Sequence, residues 1–148
     1  MSDVVVYKSI FGATKIYANW VAGFLKVEAF KFGEANKSVL SCNDRVIVLS
    51  GTYAGQMPLT KFLKDNWAIL KDKDVYVVAV GCSDKNSEGI EIAYNGIPLE
   101  IRERIHYYNV MGAMPFSDKT GKVEKGNLKK LFDDLKVYNW YWIKNKKE

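Results

Sequence analysis

The segment that decides the fold spans residues 4–14, with the sequence VVVYKSIFGAT. Val4 to Tyr7 form an unbroken apolar run rich in β-branched residues, which is typical of a strand buried on both faces. From Thr14 to Leu25 apolar residues recur at helical spacing, so we expect an amphipathic helix there. Strand, glycine-containing loop and helix in this order predict the start of a parallel βαβ unit. We expect the inner face of the helix to carry Ile16, Trp20, Val21 and Phe24.

The alternation of strand and helix signals continues along the whole chain. It predicts a doubly wound α/β fold of three layers, with five parallel strands in the order 2-1-3-4-5 and helices on both faces of the sheet. Two residues, Gly96 and Pro98, interrupt the longest helical stretch. After the first strand we predict strands at 27–32, 45–49, 75–80 and 106–111. The predicted helices, besides the first, lie at 58–70, 87–105 and 128–138, with one or two turns within 33–43.

Length and composition limit the kinds of site that the chain can build. The 148 residues suit a single domain spanning 1–148. The single histidine, His106, argues against a catalytic triad, and we expect it to be a surface or edge residue. Cys42 and Cys82 are too few for a disulfide framework and lack the spacing of metal ligands. We therefore predict no metal site and no catalytic side chain.

Charge and hydropathy bear on the partners of the chain and on its cellular compartment. The formal net charge is +5, but the lysines are scattered and no nucleic-acid-binding motif accompanies them, so we expect no nucleic-acid partner. No apolar run reaches the roughly 18 residues of a membrane span. The first residues also lack the basic stretch and long apolar segment of a secretory signal. We therefore expect a cytoplasmic protein.

The loop after the first strand has the features of an anion site. It comprises Ser9 to Lys15 and opens the first helix, where free N–H groups and the positive helix end point at one spot. Gly12 permits close approach of the backbone, and the hydroxyls of Ser9 and Thr14 are candidate donors to phosphate oxygens. The loop is neither a Walker A loop nor a dinucleotide-binding GxGxxG. The alternative is ordinary capping, with Thr14 as N-cap and Gly12 as a turn residue.

Two further loops follow predicted strands. The second includes Thr52, Tyr53, Ala54 and Gly55, in which small residues let a planar ring approach the backbone and Tyr53 offers an aromatic face. In the alternative, Tyr53 only covers the edge of the sheet. The third loop begins with Gly81, Cys82 and Ser83. We expect Cys82 to be a small, partly buried thiol without a redox role.

Taken together, these loops resemble the flavin-binding loops of the flavodoxin superfamily over roughly residues 3–135. The pattern Ser9-x-x-Gly12-x-Thr14 is similar to the family's phosphate-binding loop, although Phe11 replaces a residue that usually carries a hydroxyl. The resemblance implies a flavodoxin-like fold and non-covalently bound FMN. Ser9 and Thr14 would hold the phosphate by their side chains, and Tyr53 would stack on the ring. The implied site also includes Ile10, Phe11, Gly12 and Ala13 of the first loop, Thr52, Ala54 and Gly55 of the second, and Gly81, Cys82 and Ser83 of the third.

Three functions stay open at this point. The resemblance favours an electron carrier that meets redox partner proteins, and the basic charge favours acidic ones. The second candidate is an oxidoreductase similar to the flavodoxin-type protoporphyrinogen oxidases, which pass electrons to a quinone. The third is a binding domain that has lost FMN. The tail over 138–144 mixes aromatic residues with lysine, which leaves contact with a membrane surface open but not favoured.

Overall fold

A computed structural model of the chain describes residues 2–10, 12–52, 57–81, 88–112 and 123–136, without the side chains of 88–90. Its five strands form one parallel sheet in the order β2-β1-β3-β4-β5, which confirms the predicted topology. Across the described ranges, every helix is too short or too polar to cross a membrane. The strands are β1 (Asp3–Lys8), β2 (Ala29–Lys31), β3 (Arg45–Gly51), β4 (Asp74–Gly81) and β5 (Ile105–Met111).

Helices cover both faces of this sheet. They are α1 (Ala13–Leu25), α2 (Lys37–Ser41), α3 (Pro58–Leu70), α4 (Glu88–Asn95), α5 (Leu99–Arg102) and α6 (Lys129–Lys136), the last preceded by a 3₁₀ turn over Lys125–Leu128. The prediction of one helix over 87–105 was wrong, because the chain forms α4 and α5 with a break between them. Pro98 explains the break, since proline cannot donate an N–H and disfavours helical geometry in the residue before it.

Two separate cores lie on the two faces of the sheet. Strand residues alternate between them, as the pleat requires: Val4 and Val6 of β1 pack against the side of α3, whereas Val5 and Tyr7 pack against the side of α1. β3 is buried along its whole length, as a central parallel strand covered on both faces should be. Leu59, Phe62 and Leu63 of α3 are buried in the first core.

The predicted inner face of α1 was wrong in part. Val21 is fully buried and Trp20 is partly buried against the same core, but Ile16 and Phe24 are 44% and 37% exposed. The buried face is instead centred one position away, on Tyr17, Ala18, Val21 and Ala22, with Thr14 above them. The helical period was therefore right and the rotation of the helix was not, because the rotation depends on where the sheet lies beneath it.

Candidate anion site at the carboxyl ends of the strands

The strands that precede the predicted loops are parallel, so their carboxyl ends lie at one edge of the sheet. Two backbone hydrogen bonds tie these ends together. The N–H of Thr52 after β3 donates to the carbonyl oxygen of Val80 at 2.9 Å, and the N–H of Gly112 after β5 donates to that of Gly81 at 2.7 Å. The edge is therefore a connected surface built from three neighbouring strands.

The close approach of these strand ends depends on two glycines. A Cβ atom on Gly81 would lie 2.8 Å from Oγ1 of Thr52, and one on Gly112 would lie 2.7 Å from Cγ1 of Val80. Both distances are shorter than van der Waals contact, so a side chain at either position would require the Thr52 or Val80 side chain to move. Gly112 was not among the predicted site residues. Its only signal in the sequence is that a glycine directly follows the last strand.

The first loop takes the form that an anion site needs. Gly12 has a φ of 95°, in the left-handed region that favours glycine, and is the N-cap of α1. Its N–H donates to Oγ of Ser9 at 3.0 Å, and its carbonyl oxygen accepts from the N–H of Ile16 at 3.1 Å. The alternative with Thr14 as N-cap was wrong, because Thr14 is the second residue of the helix and is only 3% exposed.

The electrostatics of this helix end favour an anion. No side chain of the described residues caps α1, and the first turn of the helix contains no acidic residue. The first N–H groups of a helix have no partner within the helix, and the peptide dipoles add partial positive charge to them. Lys15 adds a full positive charge in the same turn, where a cation is unfavourable unless an anion accompanies it. The donors present therefore fit a phosphate group.

The structure describes only part of the predicted site. Ser9, Ile10, Gly12, Ala13 and Thr14 lie together around the start of α1. Thr52 and Gly81 lie together at the ends of β3 and β4. The remaining predicted residues are outside the described ranges, and their roles stay predictions: Phe11, Tyr53, Ala54, Gly55, Cys82 and Ser83.

His106 lies far from these loops. It is the second residue of β5 and therefore lies near the amino ends of the strands, opposite the loops. Its Nε2 is 3.0 Å from Oδ1 of Asp74, and its ring stacks on Tyr76. Within the described residues, His, Cys, Asp and Glu side chains nowhere gather in a group of three able to hold a metal.

A buried tyrosine connects the helix that carries the first loop to the far side of the site. The hydroxyl of Tyr17 in α1 donates to the carbonyl oxygen of Met111, the last residue of β5, and accepts from Nδ2 of Asn127 at 2.8 Å. The Tyr17 ring itself is fully buried. This contact holds the start of α1 in place against the end of β5.

Removal of this hydroxyl should loosen the site. We expect Tyr17→Phe to lower the free energy of unfolding by about 1–3 kcal/mol, because the Met111 carbonyl and the Asn127 amide lose a buried partner. Urea titration followed by tryptophan fluorescence measures the change. Tyr94→Phe, at a more exposed tyrosine, is the control and should change stability by less than about 0.5 kcal/mol. Equal stability of both variants would show that the Tyr17 hydroxyl contributes nothing.

Comparison with known proteins agrees with this architecture. The oxidised flavodoxin 1 of Bacillus cereus shares 17% identity over 94% of this chain and 100% of its own, with a TM-score of 0.60. The Trp repressor binding protein of Bacillus subtilis shares 17% over 93% and 99%, with a TM-score of 0.62. A flavodoxin from the domain Archaea shares 20% over 97% and 99%, with a TM-score of 0.56. At these identities the structures establish the shared fold.

Sequence comparison establishes the family. A search of curated protein sequences finds no significant match. The family model described as flavodoxin domain, however, matches residues 4–136, which is most of the chain. Together with the strand order and the loop at the start of α1, this match shows that the chain belongs to the flavodoxin domain family.

Proposed function

We propose that this flavodoxin-like flavin protein binds FMN non-covalently and uses it to carry electrons. The observation that carries the proposal is the start of α1. There an uncapped helix end, a glycine N-cap with positive φ and a lysine in the first turn converge on one spot. Donors of this kind select an anionic group, and a phosphate at a helix N-terminus is a common arrangement. FMN carries such a phosphate, whereas riboflavin does not.

Each part of the first loop has a distinct task in this proposal. The backbone N–H groups of Ala13 and Thr14 would donate to phosphate oxygens, and the hydroxyl of Thr14 would add a side-chain donor. Ser9 holds the N–H of Gly12 and thereby keeps the loop curved around the phosphate position. The bound flavin would supply reversible electron transfer, while the protein supplies its position and electrostatic surroundings. Tyr53 of the second loop remains our candidate for stacking on the ring.

The visible spectrum of the purified protein tests the cofactor. We expect flavin absorption bands and release of FMN, in an amount close to one per chain, on denaturation. Reconstitution of the apoprotein should give much tighter binding of FMN than of riboflavin, because only FMN engages the helix end. Equal saturable binding of the two flavins would contradict the phosphate site. A protein that binds neither flavin would instead be a binding domain of this fold.

Substitution of Thr14 tests the phosphate contact directly. We expect Thr14→Ala to weaken FMN binding by about 1–3 kcal/mol, the range for loss of a hydrogen bond to a charged group. Riboflavin binding should not change, since riboflavin lacks the phosphate. Ser38→Ala is a matched control, because Ser38 is also the second residue of a helix, α2, but is exposed. Fluorescence titration measures both affinities. Equal weakening of FMN and riboflavin would assign Thr14 a purely structural role.

Electron acceptors separate the carrier from an enzyme. A carrier should exchange electrons with protein partners and reduce a soluble quinone only slowly. Rapid, saturable quinone reduction coupled to oxidation of an organic substrate would favour the oxidoreductase resembling flavodoxin-type protoporphyrinogen oxidases.

A further inference from the structure

A groove extends from the first loop toward β2, and its lining includes three residues of the implied FMN site, Ser9, Ile10 and Gly12. Its volume is about 510 Å³. Three lysines from three different elements line it: Lys8 at the end of β1, Lys15 in the first turn of α1 and Lys31 at the end of β2. The remaining lining comes from Tyr7, Ser9, Ile10, Gly12, Phe32 and Gly33. We call this feature the basic groove.

The charges of the basic groove are not neutralised by the described part of the chain. No acidic residue is among its lining residues, and none of its three lysines forms an ion pair with a described residue. Lys61 and Lys129 differ in this respect, since Lys61 pairs with Asp65 and Lys129 with Asp133, each one helical turn apart.

The acidic side chain closest in sequence to the groove is already engaged. Glu34 follows β2, but its carboxylate accepts a hydrogen bond from the backbone N–H of Lys31 at 2.9 Å. It thus caps the turn after the strand. Three cations with one engaged carboxylate nearby create a local positive potential, which attracts anionic partners and speeds their approach.

The groove is not purely polar. Ile10 is 58% exposed, although a large aliphatic side chain normally gains by burial, and the partly buried Phe32 also lines the groove. Protein interfaces commonly combine apolar side chains with charged ones. A small inorganic anion would use the lysines but leave Ile10 in water. A peptide segment with carboxylates around an apolar side chain matches both features.

We propose that the basic groove is the docking surface for an acidic segment of a redox partner protein. The inference rests on the proposed function in one respect, because the partner is expected to exchange electrons with the flavin. The docking itself depends on the residues that line the groove and does not require bound flavin. A partner of ordinary size covers about 800 Å² of each surface. An interface of this size that includes the groove would therefore also cover neighbouring residues at the carboxyl ends of the strands.

Charge-neutralised variants test the docking surface. The test pair is a double variant, Lys8→Gln with Lys31→Gln, which leaves Lys15 beside the anion site unchanged. The control pair is the double variant Lys26→Gln with Lys71→Gln. It removes the same charge at the carboxyl ends of α1 and α3, on the side of the sheet where the strands begin. The probe is a labelled glutamate-rich peptide with a central leucine, titrated into apoprotein and FMN-loaded protein at low salt. We expect the test pair to weaken binding about tenfold and the control pair less than about twofold.

Electron transfer supplies the second measurement. Photoreduced protein is mixed with an acidic b-type cytochrome or with a basic c-type cytochrome, and the second-order rates are compared across ionic strengths. We expect the acidic acceptor to react faster with the wild type, and the test pair to slow it about tenfold. Equal slowing by the test and control pairs would show that only net charge matters and would overturn the proposal, as would a preference for the basic acceptor.

Two further outcomes keep the inference separate from the proposed function. If the peptide binds the apoprotein at the groove but no flavin binds, the docking surface stands and the electron-carrier function fails. Inorganic pyrophosphate is the competitor in the second case. If it displaces the peptide, and the Ile10→Ser variant binds peptide and pyrophosphate as tightly as the wild type does, the groove is a site for a small anion and the protein-docking proposal fails.

Discussion

Replacement of Arg45 by alanine is expected to lower the free energy of unfolding by about 3–5 kcal/mol, because it leaves buried partners without their cation. Arg45 begins β3, and its side chain is almost fully buried. Its Nε and Nη2 bind the two carboxylate oxygens of Asp3 at 2.7 and 3.2 Å. Its Nη1 donates to the carbonyl oxygen of Leu135 in the last turn of α6, at 2.9 Å. The guanidinium also lies 5.8 Å from the centre of the Tyr76 ring.

The same cation serves a second buried acid. Asp74 is 1% exposed, and its Oδ2 has no hydrogen-bond partner among the described residues. Burial lowers the pKa of Arg45, but hydrogen bonding and attraction to Asp3, together with weaker attraction to Asp74, outweigh this effect and raise the pKa overall. Without Arg45, Asp3 would lose both hydrogen bonds from the guanidinium, whereas Asp74 would keep His106, whose Nε2 lies 3.0 Å from its Oδ1.

Urea titration with matched variants measures this effect. Lys61→Ala is the control, because its ion pair with Asp65 is exposed and should contribute less than about 1 kcal/mol. Arg45→Lys should recover only part of the loss, since an ammonium cannot form the two parallel bonds to Asp3. A loss below about 1 kcal/mol for Arg45→Ala would show that water or local rearrangement replaces the guanidinium. FMN affinity of the folded variant should be unchanged, because the site lies at the opposite edge.

The second large effect is a loss of stability at alkaline pH. Burial raises the pKa of Tyr76, Tyr107 and Tyr108 well above the usual value for tyrosine. Neighbouring groups add to the increase: Asp74 for Tyr76, Tyr94 for Tyr107, and Asp134, which accepts from the Tyr108 hydroxyl at 2.5 Å. All three hydroxyls are therefore neutral in the folded protein at a pH where they ionise in the unfolded chain.

The sign of the pH dependence follows from these shifts. Below about pH 10 the tyrosines are neutral in both states, and their contribution to stability is fully present. As the pH rises from there toward the folded pKa values, only the unfolded state loses protons, so stability falls by about 1.4 kcal/mol per pH unit for each tyrosine. Three such groups give a slope of about 4 kcal/mol per pH unit.

Urea titrations between about pH 9 and 11, with phenolate absorbance recorded in parallel, test this slope. Tyr76, Tyr107 and Tyr108 should ionise only on unfolding. Tyr108→Phe should reduce the slope by about one third, because it removes one of the three groups whose pKa is raised. Ionisation of all tyrosines near pH 10 before any unfolding would contradict the prediction.

Local patterns in the sequence determined most of the fold. Unbroken β-branched runs such as Val4 to Val6 suit strands covered on both faces, and their alternation with amphipathic stretches leaves few topologies open. The sequence also predicted where the candidate anion site lies, because carboxyl ends of parallel strands meet at one edge and Gly12 with Thr14 stands where a helix must begin; its binding role stays a prediction.

The tertiary structure decided what depends on residues far apart in the chain. The rotation of α1, which buries Tyr17 instead of Ile16, is set by the sheet beneath the helix. The need for Gly112 arises from Val80 on the neighbouring strand. The convergence of Lys8, Lys15 and Lys31 on one groove results from the pairing of β1 with β2 and the return of the chain through α1. Periodicity in a sequence specifies which residues share a face, but only packing specifies what that face meets.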